Sequence, residues 1–132
     1  MSWKIRAIIW AVLLLGAYLV GFFPQYRKAS RLESELDALR VQSRMRQVRE
    51  SVSLAYWEAT RMNYGLAQEH ADRAFRTAQE VKDDTGDEAT RQLMDRLLSS
   101  RDETLRLLKA GDGSALSQLQ PLMQSAQKAI AY

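Results

Sequence analysis

The most hydrophobic feature of the chain is an uncharged run from Ala7 to Phe23. As a helix this run would rise about 25 Å, and the long side chains of Lys4 and Arg6 would extend it towards the roughly 30 Å hydrocarbon core of a bilayer. A helix that is apolar on every side needs lipid or a large protein around it. The run therefore predicts a transmembrane helix, with a lipid bilayer as one partner. The residues assigned to this span are Ala7, Ile8, Leu13, Leu14, Leu15, Phe22 and Phe23.

The end of the run indicates an uncleaved signal anchor. Cleavage needs small residues at the −3 and −1 positions, but the two candidate triplets, Leu15-Gly16-Ala17 and Val20-Gly21-Phe22, each carry a large residue at −3. Basic residues flank the run on both sides, so the positive-inside rule is close to a tie, although a short N-terminal tail is usually kept inside. These features favour a single-pass protein of the bacterial inner membrane with its C-terminal domain in the periplasm.

An interrupted heptad pattern follows the run. We expect a kink or a short turn at Pro24, beyond which residues 25–82 contain no proline and one glycine. Apolar side chains recur at 4,3 spacing, slip by two residues, and then resume the same rhythm. The first set is Leu32, Leu36 and Leu39, and the second is Val41, Met45, Val48, Val52, Ala55, Ala59, Met62 and Leu66. The pattern predicts a coiled-coil-like stalk helix from Gln25 to about Tyr64.

The apolar seam of this stalk must pack against something, and three partners remain open. They are a second copy of the chain, the stalk of another membrane protein, and the later helices of the same chain. No buried asparagine fixes a dimer register. We expect the later helices to cover the seam from about Val52 onward and to leave the earlier part for another protein. The candidate partner-binding residues there are Leu32, Leu36, Leu39, Val41, Met45 and Val48.

Four arginines, Arg40, Arg44, Arg46 and Arg49, lie in a stretch without acidic residues. One interpretation is a docking surface for an acidic partner or for anionic lipid headgroups, with Arg40 and Arg44 as candidate contacts. The other, which we favour, is a solvated helix surface, because a rotation of about 100° per residue divides the four side chains between opposite sides. Nucleic acid is not an expected partner, since the basic residues are not interleaved with aromatic ones.

The remaining sequence predicts a small up-and-down bundle of three helices, with the distal part of the stalk as its first member. This first helical segment covers residues 53–82, either as one helix or as two with Gly65 as the joint. Alanines at 4,3,4 spacing give this segment a face that permits close packing. They are Ala67, Ala71, Ala74 and Ala78.

Capping signals place the ends of the later helices. Thr85 and Glu88 fit a capping box at the start of a helix over about 87–110. Gly111 is suited to end that helix in a left-handed conformation. Pro121 is expected to kink the last helix or to end its first segment.

The amino-acid composition excludes several classes of catalytic and metal-binding site. The 132 residues carry a net charge of +3, one histidine and no cysteine. The lack of cysteine excludes disulfides, thiolate metal sites and cysteine nucleophiles, and a single imidazole excludes multi-histidine metal centres. The acidic string at residues 82–88 does not match the spacing of an EF-hand loop, and no phosphate-binding fingerprint occurs. We therefore expect no enzymatic activity, no metal and no cofactor, and interpret His70 as a structural or surface residue.

An aromatic cluster marks the junction of stalk and bundle at residues 56–65. Trp57, Arg61 and Tyr64 belong to the residue types enriched at interaction hot spots. They are candidate partner-binding residues. The alternative interpretation is that they form the bulky end of the bundle core.

Two functional hypotheses follow. The preferred one is an all-α protein with a transmembrane anchor over 1–24, a juxtamembrane coiled-coil stalk over 25–52 and a distal antiparallel helical bundle over 53–132. This protein would act as a non-catalytic scaffold or accessory subunit, associating through its span and stalk with a larger membrane protein complex or with itself. The alternative is a membrane-tethered ligand-binding or sensory bundle. Its pocket would be lined by Trp57, Arg61, Asn63, Tyr64 and His70.

Overall fold

Helices account for nearly all of the described chain. The computed structural model describes the backbone of residues 3–128 and the side chains of residues 3–19 and 30–128. No strand occurs between residues 3 and 128, so the prediction of an all-α helical protein is confirmed. Five helices lie in this range: α1 (Trp3–Thr60), α2 (Tyr64–Asp84), α3 (Glu88–Ser99), α4 (Arg101–Lys109) and α5 (Ala115–Lys128).

The chain forms two compact units, Met1–Asp37 and Ala38–Tyr132. The described part of the first unit consists of the beginning of α1, which continues through position 24, so the turn expected at Pro24 is not formed. The second unit contains the rest of α1 together with α2, α3, α4 and α5.

The structure does not support the predicted membrane anchor. Among the residues that the structure describes, no helix combines the length and the apolar character needed to cross a membrane. This finding contradicts the prediction of a single-pass inner-membrane protein with a periplasmic domain. The assigned span residues Phe22 and Phe23 have side chains outside the described set.

The turn between α1 and α2 is built on Met62. Its backbone N–H donates to the carbonyl of Ala59 (3.0 Å), and the N–H of Asn63 donates to the carbonyl of Glu58 (2.9 Å). These two bonds form a Schellman motif, which requires a left-handed residue at its centre. Met62 supplies it with φ 59°. The joint expected at Gly65 is therefore wrong: Gly65 lies inside α2, and a Cβ added there would meet nothing within 4 Å.

Helix α2 returns along α1 through its alanine face. Ala67, Ala71, Ala74 and Ala78 are all buried, as the 4,3,4 spacing predicts. An ion pair fixes the far end of this antiparallel pair, because Arg44 of α1 contacts both Glu80 and Asp84 of α2. Small buried side chains on α2 thus allow the neighbouring helices of the bundle to approach it closely.

The start of α3 differs from the predicted capping box. Asp87, not Thr85, is the N-cap, and its carboxylate accepts bonds from the backbone N–H (2.8 Å) and hydroxyl (2.6 Å) of Thr90. Thr85 instead caps the end of α2 and is buried, while its Oγ1 accepts from the backbone N–H of Asp87 (3.2 Å). A buried side chain at the end of one helix is not free to begin the next, so the cap moves to Asp87.

The single helix expected over 87–110 is divided at Ser100. The Ser100 hydroxyl donates to the carbonyl of Leu97 (2.9 Å) and competes with the helical backbone bond there. Helices α3 and α4 still run together along α2 in the antiparallel sense. Ion pairs join Lys82, near the end of α2, to Asp95 in the second half of α3 (2.5 Å), and Asp72 of α2 to Arg101 at the start of α4 (3.9 Å).

Gly111 ends α4 as expected, with φ 66° and a second Schellman pair of backbone bonds. The ring of Tyr64 lies against the loop that follows, close to Gly111 and Gly113. Helix α5 then continues through Pro121, so the expected end of a first segment there is wrong. Pro121 is exposed, and its buried neighbours Leu119 and Leu122 anchor the helix on both sides of it.

One apolar core joins the helices of the second unit. Its buried members from α1 are Val48, Val52, Ala55 and Ala59, and those from the other helices include Phe75, Val81, Met94, Leu97, Leu107, Leu108, Ala115, Leu119 and Leu122. The described part of this unit makes four antiparallel passes instead of the expected three, because the turn at Met62 separates α1 from α2 and α3 with α4 act as one pass. The predicted helical bundle is confirmed.

Candidate interaction surface

Two apolar stripes on α1 have different environments. Val48 is buried in the core of the second unit, and Val41 and Met45 pack against that core while half-buried. Leu39 belongs to the same unit, yet its side chain is exposed. The two-residue slip between Leu39 and Val41 turns the stripe by about 200°, so these side chains point to opposite sides of the helix. The chain therefore covers one stripe with its own helices and leaves the other open.

The open stripe consists of Leu32, Leu36 and Leu39, and we call it the leucine stripe. The exposed fractions of these residues are 60%, 53% and 60%. Single exposed leucines are common on protein surfaces, but three at heptad spacing in the sequence match the pattern of a coiled-coil seam. Of the six stalk residues predicted to bind a partner, these three are available to one, whereas Val41, Met45 and Val48 are wholly or partly covered by the chain itself.

A second exposed apolar region precedes the leucine stripe within α1. Its described members include residues from the predicted span, and Ala7, Ile8, Leu13, Leu14 and Leu15 are all exposed. Other large apolar side chains of this region are exposed as well: Trp3, Ile5, Ile9, Trp10, Val12, Tyr18 and Leu19. Apolar surface of this extent marks a region that another molecule covers.

The four arginines of α1 do not act as one patch. Arg44 is half-buried and paired with Glu80 and Asp84, so its charge is used inside the chain. Arg40 and Arg46 are exposed, and Arg49 is half-buried. Of the two candidate contacts in this group, Arg40 lies next to the leucine stripe in sequence, while Arg44 stabilises the pairing of α1 with α2.

The predicted aromatic hot spot is split by the turn. Trp57 is 62% exposed, and Arg61 is exposed with its guanidinium 4.0 Å from Glu58. Tyr64 is half-buried, with its ring against the loop at Gly111. Trp57 and Arg61 are thus open to a partner, and Tyr64 serves mainly to pack the α4–α5 loop onto α2.

Sequence reasoning missed three exposed apolar residues at this corner. Leu54 lies one helical turn before Trp57, Leu66 follows in the first turns of α2, and Met62 is 76% exposed. The heptad count placed Met62 and Leu66 inside the seam. Helix α1 ends at Thr60, before both residues. A heptad count holds only within one continuous helix, so it cannot place Met62 and Leu66 in the seam of α1.

The carboxylates of the bundle whose pKa values are lowered lie at or near helix ends. Hydrogen bonds from Thr90 lower the pKa of Asp87, and a bond from the Arg106 side chain lowers the pKa of Glu103. The pKa of Asp112 is lowered by a bond from the backbone N–H two residues later. Each shift has a local structural cause. Among the described residues, no group of three or more acidic or histidine side chains is placed to hold a metal ion.

Two buried side-chain polar atoms of the described bundle have no hydrogen-bond partner. They are Nδ1 of half-buried His70 and Oγ1 of Thr104, which is fully buried. A shallow cleft elsewhere, between α3 and α5, is bordered mainly by Leu93, Arg96 and Pro121. None of the residues predicted for a ligand pocket lines this cleft.

No family model, curated protein or solved structure matches the chain. The function must therefore be inferred from its own surfaces, of which the exposed apolar face of α1 is the most prominent.

Proposed function

We propose that the protein is a non-catalytic scaffold or accessory subunit that associates with another protein through the exposed apolar face of α1. The observation that carries this proposal is the leucine stripe. Its three side chains are more than half exposed, although the chain has a folded bundle in which leucines of α3, α4 and α5 are buried.

The energetic reason is the apolar surface that association would remove from water. Full burial of a leucine side chain stabilises by about 1.5–3 kcal/mol. Burial of the three leucines of the stripe would contribute a large part of this amount for each residue, before the cost of association is subtracted. The exposed apolar residues of 7–19 also support association, because a helix that is apolar on every side needs neighbours around it.

The alternative, a ligand-binding or sensory bundle, has less support. It requires Trp57, Tyr64 and His70 to point into a common pocket. Trp57 instead projects into solvent, and Tyr64 packs on a loop. The non-catalytic assignment rests on the composition, since one histidine and no cysteine leave few groups for covalent or acid–base chemistry.

The test compares two aspartate substitutions on α1. Leu36→Asp places a charge in the leucine stripe, and Ala38→Asp adds the same charge at an exposed position outside the stripe. Full-length protein is measured by light scattering after size-exclusion chromatography, in parallel with cross-linking and mass spectrometry from cells. We expect the wild type and Ala38→Asp to form a complex of defined mass, and Leu36→Asp to lose it. A monomeric wild type that cross-links to no protein, or a complex indifferent to Leu36→Asp, contradicts the proposal.

A further inference from the structure

The shallow cleft between α3 and α5 has an apolar floor and a charged rim. Its floor consists of buried Leu97 and Leu122 together with half-buried Leu93. Its rim carries the exposed side chains of Arg96 and Ser125. The volume is about 230 Å³, which is below the range of roughly 300–1,000 Å³ for sites that enclose a small molecule. The cleft is therefore of a size to receive part of a larger partner.

The charge on the rim is not neutralised by either wall of the cleft. Both acidic residues of α3 are engaged elsewhere, since Asp95 pairs with Lys82 and Glu88 pairs with Arg91. Helix α5 contains no acidic residue over its described length. Within these two helices the guanidinium of Arg96 thus has no free carboxylate to bind. A positive rim of this kind is complementary to an anionic group, and a guanidinium binds carboxylates through two parallel hydrogen bonds.

We infer that the cleft binds a segment of another protein that presents an aliphatic side chain next to a carboxylate. The aliphatic group covers the floor at Leu97 and Leu122 and removes it from water. The carboxylate accepts hydrogen bonds from the guanidinium of Arg96, and the hydroxyl of Ser125 is a further donor on the same rim. A protein segment fits this cleft better than a fatty acid, because a long acyl chain extends beyond the small apolar floor into water. The inference goes beyond the proposed function, since the leucine stripe contributes no residue to the cleft.

A small probe tests both features of this partner. N-acetyl-leucine carries a leucine side chain next to a carboxylate, N-acetylleucinamide lacks the charge, and acetate lacks the side chain. Binding of each compound to the full-length protein is measured by NMR from the chemical-shift changes of backbone amides. We expect N-acetyl-leucine to bind at least about tenfold more tightly than either control, with the shifts concentrated in α3 and α5. Equal binding of N-acetylleucinamide, or shifts that avoid the cleft, overturns the inference.

Substitution of Arg96 tests the carboxylate contact. Arg96→Gln should weaken the binding of N-acetyl-leucine by about tenfold and leave that of N-acetylleucinamide unchanged, because only the charged probe uses the guanidinium. Lys109→Gln is the matched control, since Lys109 is exposed outside the cleft in the last turn of α4, as Arg96 is in the last turn of α3. It should change the affinity by less than about twofold, because salt screens a distant surface charge. Equal losses in both variants mean that the probe responds only to overall charge, which overturns the inference.

Decanoate tests whether the occupant is a lipid instead. If decanoate binds in the cleft at least about tenfold more tightly than N-acetyl-leucine, the occupant is an acyl chain and the inference is overturned. We expect decanoate to bind no more tightly than N-acetyl-leucine. This inference and the proposed function fail separately. Absence of N-acetyl-leucine binding overturns this inference alone, whereas a complex indifferent to Leu36→Asp overturns the proposed function alone.

Discussion

The left-handed conformation of Met62 predicts that a smaller residue will stabilise the protein. An L residue with a side chain is strained by roughly 1–2 kcal/mol in this region, and Met62 adopts it with φ 59°. Its side chain is mostly exposed, so its removal sacrifices little packing. Glycine relieves the strain but costs about 0.5–1 kcal/mol through the entropy of the unfolded chain. We therefore expect Met62→Gly to raise the free energy of unfolding by about 0.5–1 kcal/mol.

Gly111 provides the matched control, because it occupies the same place in an equivalent Schellman motif with φ 66°. A Cβ added there would lie 3.6 Å from Cδ2 of Tyr64, an ordinary van der Waals distance. Gly111→Ala should therefore report the same two backbone effects with the opposite sign: the strain of a left-handed alanine, partly offset by the lower entropy of the unfolded chain. We expect it to lower the free energy of unfolding by a similar amount, about 0.5–1 kcal/mol.

Thermal unfolding followed by far-UV circular dichroism measures both effects. For a unit of this size, about 1 kcal/mol corresponds to roughly 4–8 °C in Tm, so opposite shifts of several degrees are expected. Met62→Ala is a further control that shortens the side chain but keeps most of the strain, and its Tm should change little. If Met62→Gly lowers Tm while Gly111→Ala also lowers it, backbone strain at Met62 is refuted.

Three other substitutions test the bundle. Phe75→Ala should lower the free energy of unfolding by about 3–5 kcal/mol, because loss of the buried ring leaves a cavity. Urea titration measures this change. A loss below about 1 kcal/mol would mean that the core collapses into the space of the missing ring. Thr104→Val should raise it by about 1 kcal/mol, since the hydroxyl is buried without a partner, and a loss of stability would reveal an unseen bond. Asp87→Asn should keep the helix cap but remove part of the acid sensitivity. Hydrogen bonds from Thr90 lower the pKa of Asp87 in the folded state. Its carboxylate therefore stabilises the fold fully at pH values above the unfolded pKa of about 3.9. This stabilisation is lost as the pH falls through the lower pKa of the folded state. Urea midpoints between pH 5 and pH 2 should fall less steeply for the variant, and equal slopes would contradict this account.

The helical period explains what the sequence predicted well. Val52, Ala55 and Ala59 are buried as expected, because the 4,3 spacing returns each of them to one side of α1. Gly111 could be placed because a left-handed residue after a helix is usually glycine. Both inferences depend on local backbone geometry, which sequence spacing encodes directly.

The errors arise where tertiary packing decides. Met62 carries no turn signal, whereas Gly65 does, yet the chain reverses at Met62. Cover of the α1 seam was expected from about Val52, but it begins at Val41, because α2 is 21 residues long and extends back along α1 as far as Arg44. The predicted membrane anchor followed from apolar composition, which shows that a helix needs cover but does not identify the molecule that covers it.

The rotation of the apolar stripe between Leu39 and Val41 also has an evolutionary consequence. Substitutions in the leucine stripe do not reach the residues that stabilise the bundle, so these three positions are free to vary while the fold is conserved. The same separation makes the helix a practical host for engineering. New recognition sequences can be grafted at positions 32, 36 and 39 without redesign of the interior.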